Sequence, residues 1–229
     1  DFLDSFLEGG TSFRPIGESA LKLMNAAGMT PRVMGLKCCG HDELWQGNQE
    51  AFDELRRLNT RAIQESGIKT LVASCAECTR TFAIDYSLDV EVLHISQFLE
   101  RYSEKLSFKG EGTVTYHDPC YLGRHNGIYD EPRNVLNEIP GVRYREMIRS
   151  FSRSFCCSGG GLLLWYENEH EKERMGERRV RMAEEIGAQM IVTACPFCLI
   201  NLEDAVKTTG NEGKIEVLDL VELVDKSMK

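Results

Sequence analysis

The sequence contains nine cysteines, and their spacing is the clearest chemical signal in the chain. Five of them form a lone cysteine, an adjacent pair and a C-x2-C pair, with 35 and 37 residues between these groups. They are Cys120, Cys156, Cys157, Cys195 and Cys198. Thiolates are soft ligands that bind iron–sulfur clusters or zinc in preference to hard cations. The spacing therefore predicts a cluster or metal site in the second half of the chain.

The other four cysteines repeat most of this pattern in the first half of the chain. They are Cys38, Cys39, Cys75 and Cys78, with 35 residues between the adjacent pair and the C-x2-C pair, against 37 in the second half. The sequence of residues 70–78 parallels that of residues 190–198, and residues 91–99 parallel residues 216–224. Such a repeat predicts two copies of one structural unit. No cysteine is left outside the motifs.

These motifs resemble those of the cysteine-rich CCG domain family, which includes the B- and D-type subunits of heterodisulfide reductase and related iron–sulfur oxidoreductase subunits. The resemblance covers essentially the whole chain. It implies a 4Fe–4S cluster at the five cysteines of the second half, which in heterodisulfide reductase has an unusual noncubane form. The first half departs from the family pattern, because no cysteine precedes Cys38. The position where the family has one falls near residues 8–10.

The two halves lead to different expectations for the bound metal. Five thiols are one too many for tetrahedral zinc, which favours an iron–sulfur cluster in the second half. The four cysteines of the first half fit a closed zinc site, a second iron–sulfur cluster with a further ligand, or no metal. His41 follows the first CCG motif and is considered as a replacement ligand there.

Length and composition limit the fold and the class of protein. The 229 residues suit two units of about 110 residues, which we place at residues 1–110 and 111–229. The net charge of −9 argues against nucleic-acid binding, and no apolar run approaches the ~20 residues of a membrane span. We expect a reducing, cytoplasmic location, with a partner subunit providing any contact with the membrane. The start at Asp1 suggests a domain cut from a larger oxidoreductase.

Apolar periodicity predicts alternating helices and strands. Helices are expected at residues 15–27, 48–66, 132–138 and 162–186, and a further one capped by Ser96. Strands are expected at residues 32–36, 70–74, 90–95, 113–118, 142–148, 190–193 and 214–218. This alternation predicts an α/β fold of two tandem, Rossmann-like parallel-sheet units related by pseudo-twofold symmetry. Charged residues dominate 162–186, where Glu–Arg pairs are expected at the surface and Met175, Met182, Ala183 and Ile186 inside.

Several residues near the second site are candidates for tuning it. The amides at the helix start after each C-x2-C motif can stabilise thiolates. Gly159 is expected to allow a close backbone approach. His117 and His125 flank Cys120, and each is considered as a donor to cluster sulfur, a proton shuttle or a ligand. A supporting role without direct ligation is expected for His117 only, and a structural role is expected for His94. Arg124 and Arg153 either offset the cluster charge or form surface pairs.

The leading functional interpretation is a soluble iron–sulfur electron-transfer subunit of a multi-subunit oxidoreductase. Its expected partners are a flavoprotein or ferredoxin-type donor and a quinone-linked acceptor. One alternative is a catalytic thiol–disulfide reductase that acts at a noncubane 4Fe–4S cluster. Another is a structural module stabilised by zinc, without redox activity.

Overall fold

The computed structural model describes residues 13–161, 163 and 172–228. The first half contains α1 (Arg14–Ala26), α2 (His41–Trp45), α3 (Gln49–Ser66), β1 (Thr70–Ala73), α4 (Ala76–Arg80), β2 (Glu91–His94) and α5 (Ile95–Tyr102). The second half contains β3 (Thr113–Tyr116), α6 (Cys120–Asn126), α7 (Asp130–Asn137), β4 (Arg143–Tyr144), α8 (Met175–Glu185), β5 (Met190–Thr193), α9 (Pro196–Thr208), β6 (Glu216–Asp219) and α10 (Leu220–Ser227). Single turns of π-helix (Thr81–Asp85) and 3-10 helix (Ser103–Lys105, Phe151–Arg153) complete the described elements.

The strands form two sheets in which all described strand pairs are parallel. In the first sheet β1 pairs with β2, from Thr70 opposite Glu91 onward. The second sheet has the order β4-β3-β5-β6, so that β5 lies between β3 and β6. Parallel strands need crossover connections, and helices provide them here. The predicted α/β fold with parallel sheets is confirmed.

The internal repeat is visible in how corresponding elements begin. His94 accepts a hydrogen bond from the backbone N–H of Ser96 at the start of α5, and Asp219 accepts one from Val221 at the start of α10. In both caps the side chain of the third helical residue accepts a hydrogen bond from the backbone N–H of the cap residue. This residue is Gln97 in α5 and Glu222 in α10. The helix predicted to be capped by Ser96 is therefore capped by His94 instead, and the structural role expected for His94 agrees with this geometry.

Both halves contribute to the main hydrophobic core. Ile16 and Leu23 of α1 are buried in the same cluster as the strands of the second sheet. Ser19 donates a hydrogen bond of 2.9 Å to Asp225 of α10, so the first and last described helices are in contact. A smaller apolar cluster surrounds Phe52 of α3 in the first half. The division into units 1–110 and 111–229 remains a prediction.

The strand predicted at residues 32–36 is wrong. This segment has irregular structure, and Val33 is 74% exposed. The side chain of Asn59 in α3 accepts a hydrogen bond from the Lys37 backbone N–H and donates to the carbonyls of Lys37 and Cys38. The chain leading to the first cysteine pair is thus held by one buried side chain rather than by pairing with β1.

A predicted strand and a predicted helix are longer than the elements observed. Only Arg143–Tyr144 of the strand expected at residues 142–148 pairs with β3, and Ile148 is 80% exposed. In the helix expected at residues 162–186, residues 172–174 are not helical and α8 covers Met175–Glu185. Residues 162 and 164–171 lie outside the described part. Other predicted elements differ from the structure mainly at their ends.

None of the helices in the described ranges is both long and apolar enough to span a bilayer.

Candidate metal centre

Five of the cysteines lie at or just inside the start of a helix. Cys75 and Cys195 are the residues immediately before α4 and α9, with the backbone still extended. Cys120 is the first residue of α6. Each C-x2-C motif therefore places one thiol before a helix and the second in its first turn. All nine cysteines are free thiols, and none forms a disulfide.

The five cysteines of the second half form one connected group. The Sγ atoms of Cys157 and Cys198 are 3.2 Å apart. The Cys156 thiol is a neighbour of the Cys120 thiol on one side and of the Cys157 thiol on the other. The Cys195 thiol is a neighbour of the Cys198 thiol. The structure thus brings together all five residues that the sequence assigned to the second site.

The four cysteines of the first half form a matching group. The Cys39 thiol is a neighbour of the thiols of both Cys38 and Cys78. Cys78 in turn contacts Cys75. Of the four, Cys38 is the exposed one and Cys39 is buried. These are the residues that the sequence assigned to the first site.

The two groups meet at Cys75 and Cys195, whose thiols lie close enough to shift each other's pKa. These two cysteines are the first members of the two C-x2-C motifs. Through this contact all nine thiols form one continuous series of neighbours. The order along the series is Cys38, Cys39, Cys78, Cys75, Cys195, Cys198, Cys157, Cys156 and Cys120.

Three of the thiols are stabilised as thiolates, the form that binds metal. Hydrogen bonds from the Cys120 and Cys157 thiols and from the Ser158 backbone N–H lower the pKa of Cys156 despite its burial. Hydrogen bonds from the two neighbouring thiols, Cys198 and Cys75, and from backbone N–H groups at the start of α9 lower the pKa of Cys195.

Cys39 has the same environment in the first half. Its two thiol neighbours and the backbone N–H of His41 lower the pKa of Cys39, whereas burial acts in the opposite direction. In all three cases a central sulfur accepts hydrogen bonds from flanking donors, which favours its charged form.

The two cysteine pairs adopt the same backbone turn. The Gly40 N–H points to Cys38 Sγ at 3.5 Å, and the Ser158 N–H points to Cys156 Sγ at 3.3 Å. Gly40 has a φ of 82° and Ser158 a φ of 64°, both in the left-handed region. Glycine accepts this conformation without strain, whereas serine does so at a cost. The repeat therefore preserves a turn that aims amide groups at sulfur.

Gly159 packs closely against the protein itself, and its expected approach to a cluster remains a prediction. A Cβ atom at Gly159 would lie 2.5 Å from the carbonyl oxygen of Phe197, inside the second C-x2-C motif. Asn201 of α9 also donates a hydrogen bond to the carbonyl of Cys157. The loop after the cysteine pair is thus packed directly against the start of α9.

Glu77 links the first C-x2-C motif to the same loop. Its side chain occupies the position that a Cβ atom at Gly160 would need, and it accepts a hydrogen bond from the Gly161 backbone N–H. Glu77 is only 3% exposed, and burial raises its pKa to about 9. A buried carboxyl group of the first half therefore packs against the loop after the second cysteine pair. Glu77 was not among the residues predicted from the sequence.

Aromatic and imidazole rings pack beside this junction. The ring centroid of Tyr121 lies 4.4 Å from the ring centroid of His41 and 4.7 Å from that of His125. His41 Nδ1 is 3.1 Å from the Thr81 hydroxyl group, and its Nε2 is 4.0 Å from a Glu77 oxygen. The ring contacts of His41 are thus with Thr81, Glu77 and aromatic side chains, which does not support its role as a replacement ligand for the first site.

Two arginines that were not predicted from the sequence organise the loop around Cys120. Arg133 of α7 forms a bidentate ion pair with Asp118 at 2.7 and 3.0 Å, and it also binds Glu146. Arg179 of α8 is fully buried and donates a hydrogen bond of 3.2 Å to His117 Nδ1. Both arginines therefore fix the sequence His-Asp-Pro-Cys that carries Cys120.

The two arginines that were predicted to lie near the site have different surroundings. Arg124 donates hydrogen bonds to the carbonyls of Ser152 and Ser154, just before the cysteine pair. It therefore holds the loop through backbone groups. The Arg153 side chain is exposed. Trp165 and Tyr166, which the sequence also contains nearby, lie outside the described residues.

The donor set of the second site fits an iron–sulfur cluster. A ring nitrogen of His117 and the Sγ atoms of Cys157 and Cys198 all lie within 4.8 Å of one another. Sulfur atoms dominate the site, backbone N–H groups point at them, and the surrounding core is apolar. Thiolate ligands with hydrogen bonds to sulfur are the environment that such clusters require. The residues present therefore fit the cofactor.

A model of the cysteine-rich domain family, CCG, matches residues 9–83 and 114–203 of the chain. One component of the dihydromethanophenazine:CoB–CoM heterodisulfide reductase of Methanosarcina barkeri is 37% identical over 223 residues, covering 90% of this chain and 54% of that protein. The EtfAB:quinone oxidoreductase of Syntrophomonas wolfei is 31% identical, covering 95% of this chain and 32% of that protein. The probable iron–sulfur-binding oxidoreductase FadF of Bacillus subtilis is 32% identical, with coverages of 93% and 31%. The chain thus spans about half the length, or less, of these relatives.

Proposed function

This chain belongs to the cysteine-rich CCG domain family, and on that premise we propose that it is an iron–sulfur electron-transfer subunit or domain of a multi-subunit oxidoreductase. Its family and its iron–sulfur-binding relatives support cluster binding by the chain. The observation that carries the proposal is the contact of Cys75 with Cys195, which joins the thiols of both halves into one series. Neighbouring thiols therefore connect the proposed cluster site to the cysteines of the first half.

The second site is the proposed place of the cluster. Its ligands would be Cys120, Cys156, Cys157, Cys195 and Cys198, and the cluster would supply a group that gains and loses single electrons. The chain itself positions the ligands at the starts of α6 and α9 and in the turn before Gly159. It also excludes water, because Cys157, Cys195 and Cys198 are buried. Five thiols in contact favour a cluster over tetrahedral zinc, which uses four.

The first site is proposed to hold a metal through Cys38, Cys39, Cys75 and Cys78. Four clustered thiols suffice for zinc, and a second iron–sulfur cluster would need a further ligand or an open iron position. The contact between Cys75 and Cys195 supports communication between the two sites. Zinc here would have a structural role, whereas iron would extend the electron path.

The partners are proposed from the chemistry and from the relatives. Relatives include a heterodisulfide reductase subunit and an EtfAB:quinone oxidoreductase, so we propose a flavoprotein or ferredoxin-type donor and a quinone-linked acceptor. We propose a cytoplasmic location for this protein, with contact to the membrane through a partner subunit.

The experiment that tests this proposal is metal and redox analysis of anaerobically purified protein. Iron, acid-labile sulfide and zinc are counted per chain. The protein is then reduced with dithionite and mixed with a water-soluble quinone. We expect about four irons with matching sulfide at the second site, and visible absorbance that bleaches on reduction and returns with the quinone. Protein that contains only zinc and no sulfide would contradict the proposal.

The same samples distinguish the thiol–disulfide reductase. Reduction of one disulfide to two thiols consumes two electrons and two protons. Reduced protein that forms two thiols per two electrons from a small disulfide, and does not react with the quinone, would favour that activity. Electron transfer to the quinone without attack on the disulfide would favour the electron-transfer subunit.

A further inference from the structure

Arg179 is the largest of the fully buried side chains in the described part of the chain. It lies on α8, between residues that face solvent, Arg178 and Arg181. Burial lowers the pKa of Arg179 to about 10, so the guanidinium group remains charged at neutral pH. A charge in an apolar core is costly unless other groups compensate for it.

The described residues offer Arg179 hydrogen-bond acceptors but no ion pair. Its Nη2 donates to the carbonyl of Tyr116 at 3.3 Å, and its Nη1 donates to the carbonyl of Arg149. Its Nε donates to His117 Nδ1 at 3.2 Å. The nearby carboxylate of Asp118 is already paired with Arg133. The positive charge of Arg179 is therefore not neutralised by a direct carboxylate partner in this region.

The contact with His117 fixes where the imidazole carries its proton. A guanidinium group has donors and no acceptor, so Nδ1 of His117 must be the acceptor. Nδ1 therefore carries no hydrogen, and the single N–H of the neutral ring is on Nε2. His117 is 1% exposed, and a ring nitrogen lies within 4.8 Å of Cys157 and Cys198 Sγ. The ring that carries this N–H therefore lies beside two of the thiols of the second site.

We infer that Arg179 is a positioning residue for the second site: it holds His117 in the Nε2–H tautomer and raises the reduction potential of the cluster. The inference rests on the proposed function, because it needs a cluster at that site. A cluster with thiolate ligands is anionic, and reduction adds one further negative charge. A buried cation and a hydrogen bond to sulfur both stabilise the more negative state. The same anionic cluster explains why an unpaired arginine is tolerated in the core.

The first experiment reads the tautomer in the parent protein. Nitrogen-15 NMR of metal-free or zinc-loaded protein with labelled histidine distinguishes a ring protonated at Nε2 from one protonated at Nδ1. We expect the His117 signal to show the Nε2–H form, and His117→Gln identifies that signal. An Nδ1–H form in the folded parent would overturn the inference without any iron in the sample.

The second experiment measures the reduction potential by dye-mediated titration, with dithionite supplying one electron per cluster. In Arg179→Met we expect the ratio of reduced to oxidised cluster at a fixed potential to fall about tenfold, which is about 59 mV for a one-electron couple. Arg179→Lys keeps the charge and should restore most of this loss. Arg178→Met is the matched control, because its side chain is 51% exposed on the same helix, and it should leave the potential unchanged.

Each outcome separates the role of Arg179 from cluster binding itself. Parent protein without iron and sulfide overturns the proposed function and with it the role of Arg179. Normal iron content with equal potentials in Arg179→Met and Arg178→Met overturns the role of Arg179 alone. If Arg179→Met does not fold, the inference is tested with Arg179→Lys and with the His117 tautomer of the parent. An unchanged reduction potential in Arg179→Lys, together with His117 in the Nε2–H form, supports the inference. His117 in the Nδ1–H form overturns it.

Discussion

The thiols of Cys75 and Cys195 are neighbours that shift each other's pKa, although 119 residues separate them in the sequence. Each is the residue before a helix in its half of the repeat. The pseudo-symmetric halves therefore meet at equivalent positions of their C-x2-C motifs. This contact makes the two proposed metal sites neighbours.

The contact predicts different results for the two cysteines of the first C-x2-C motif. Cys75→Ser replaces a thiol that donates to Cys195, so we expect a changed electron paramagnetic resonance (EPR) spectrum of the second-site cluster with most of its iron retained. Cys78→Ser is the matched control within the same motif, and it should lower thermal stability while leaving that spectrum unchanged. The measurements are iron content, low-temperature EPR and thermal unfolding. Identical EPR spectra in both variants and the parent would contradict the contact. Loss of half or more of the iron in either folded variant would indicate that the first site also holds an iron–sulfur cluster.

A second prediction concerns the crowded loop after the second cysteine pair. Gly159→Ala would place a Cβ atom 2.5 Å from the Phe197 carbonyl, so the loop or α9 must shift. We expect the free energy of unfolding to fall by about 1–3 kcal/mol, and cluster retention to fall with it. Gly159→Val should be more severe. Gly17→Ala in α1 is the control, because no atom lies within 4 Å of its Cβ position, and it should be neutral or stabilising by up to about 1 kcal/mol. Urea unfolding curves test both, and equal midpoints would refute the crowding.

The ion pair of Arg133 and Glu146 predicts a pH dependence of stability. Burial acts to raise the pKa of Glu146, but hydrogen bonds from Arg133 and Tyr144 outweigh it and hold the pKa below the ordinary value. A carboxylate whose pKa is lowered in the folded state stabilises the fold at pH values above its ordinary, unfolded-state pKa. This stabilisation is lost as the pH falls through the lowered, folded-state pKa. Glu146→Gln should therefore be less stable at pH 7, and its deficit should shrink as the pH falls below 4.5.

The control for this prediction is Glu212→Gln, at an exposed position in the second half of the chain. Its stability relative to the parent should change little over the same pH range. Thermal unfolding at a series of pH values provides the measurement. A deficit in Glu146→Gln that stays constant from neutral to acidic pH would show that the ion pair does not contribute through ionisation.

Much of the fold could be predicted because its elements have strong local signals. Helix α3 combines a regular apolar stripe with Asn48 at its start and Gly67, with a φ of 68°, at its end. The buried strand β5 is a short apolar run between polar segments. The segment at residues 32–36 has similar composition but lacks a hydrogen-bonded neighbour, and Asn59 holds its end instead. Periodicity does not reveal whether a partner strand is present.

The cysteine ligands could be predicted because their spacing is informative, whereas the residues around them could not. Arg179 lies in a run of charged residues whose pairs were expected at the surface. It is four residues after Met175 and four before Ala183, both of which were expected inside. This spacing places Arg179 on the apolar face of the helix, so its burial could have been predicted from the sequence. Glu77 and its contact with Gly160 depend on how the two halves pack, which the sequence does not encode locally.

The most direct test of a five-thiol cluster compares the parent with Cys120→Ser, both purified anaerobically. Cys120 is the fifth thiol of the second site, and it contacts Cys156. If all five cysteines bind the cluster, this variant should lose iron or show a converted EPR spectrum, whereas Cys38→Ser, at the exposed end of the series, should keep the spectrum of the parent. The readouts are the ratios of iron and sulfide to protein and the low-temperature EPR spectrum. An unchanged four-iron centre in Cys120→Ser would contradict the five-thiol cluster and reduce the site to four ligands.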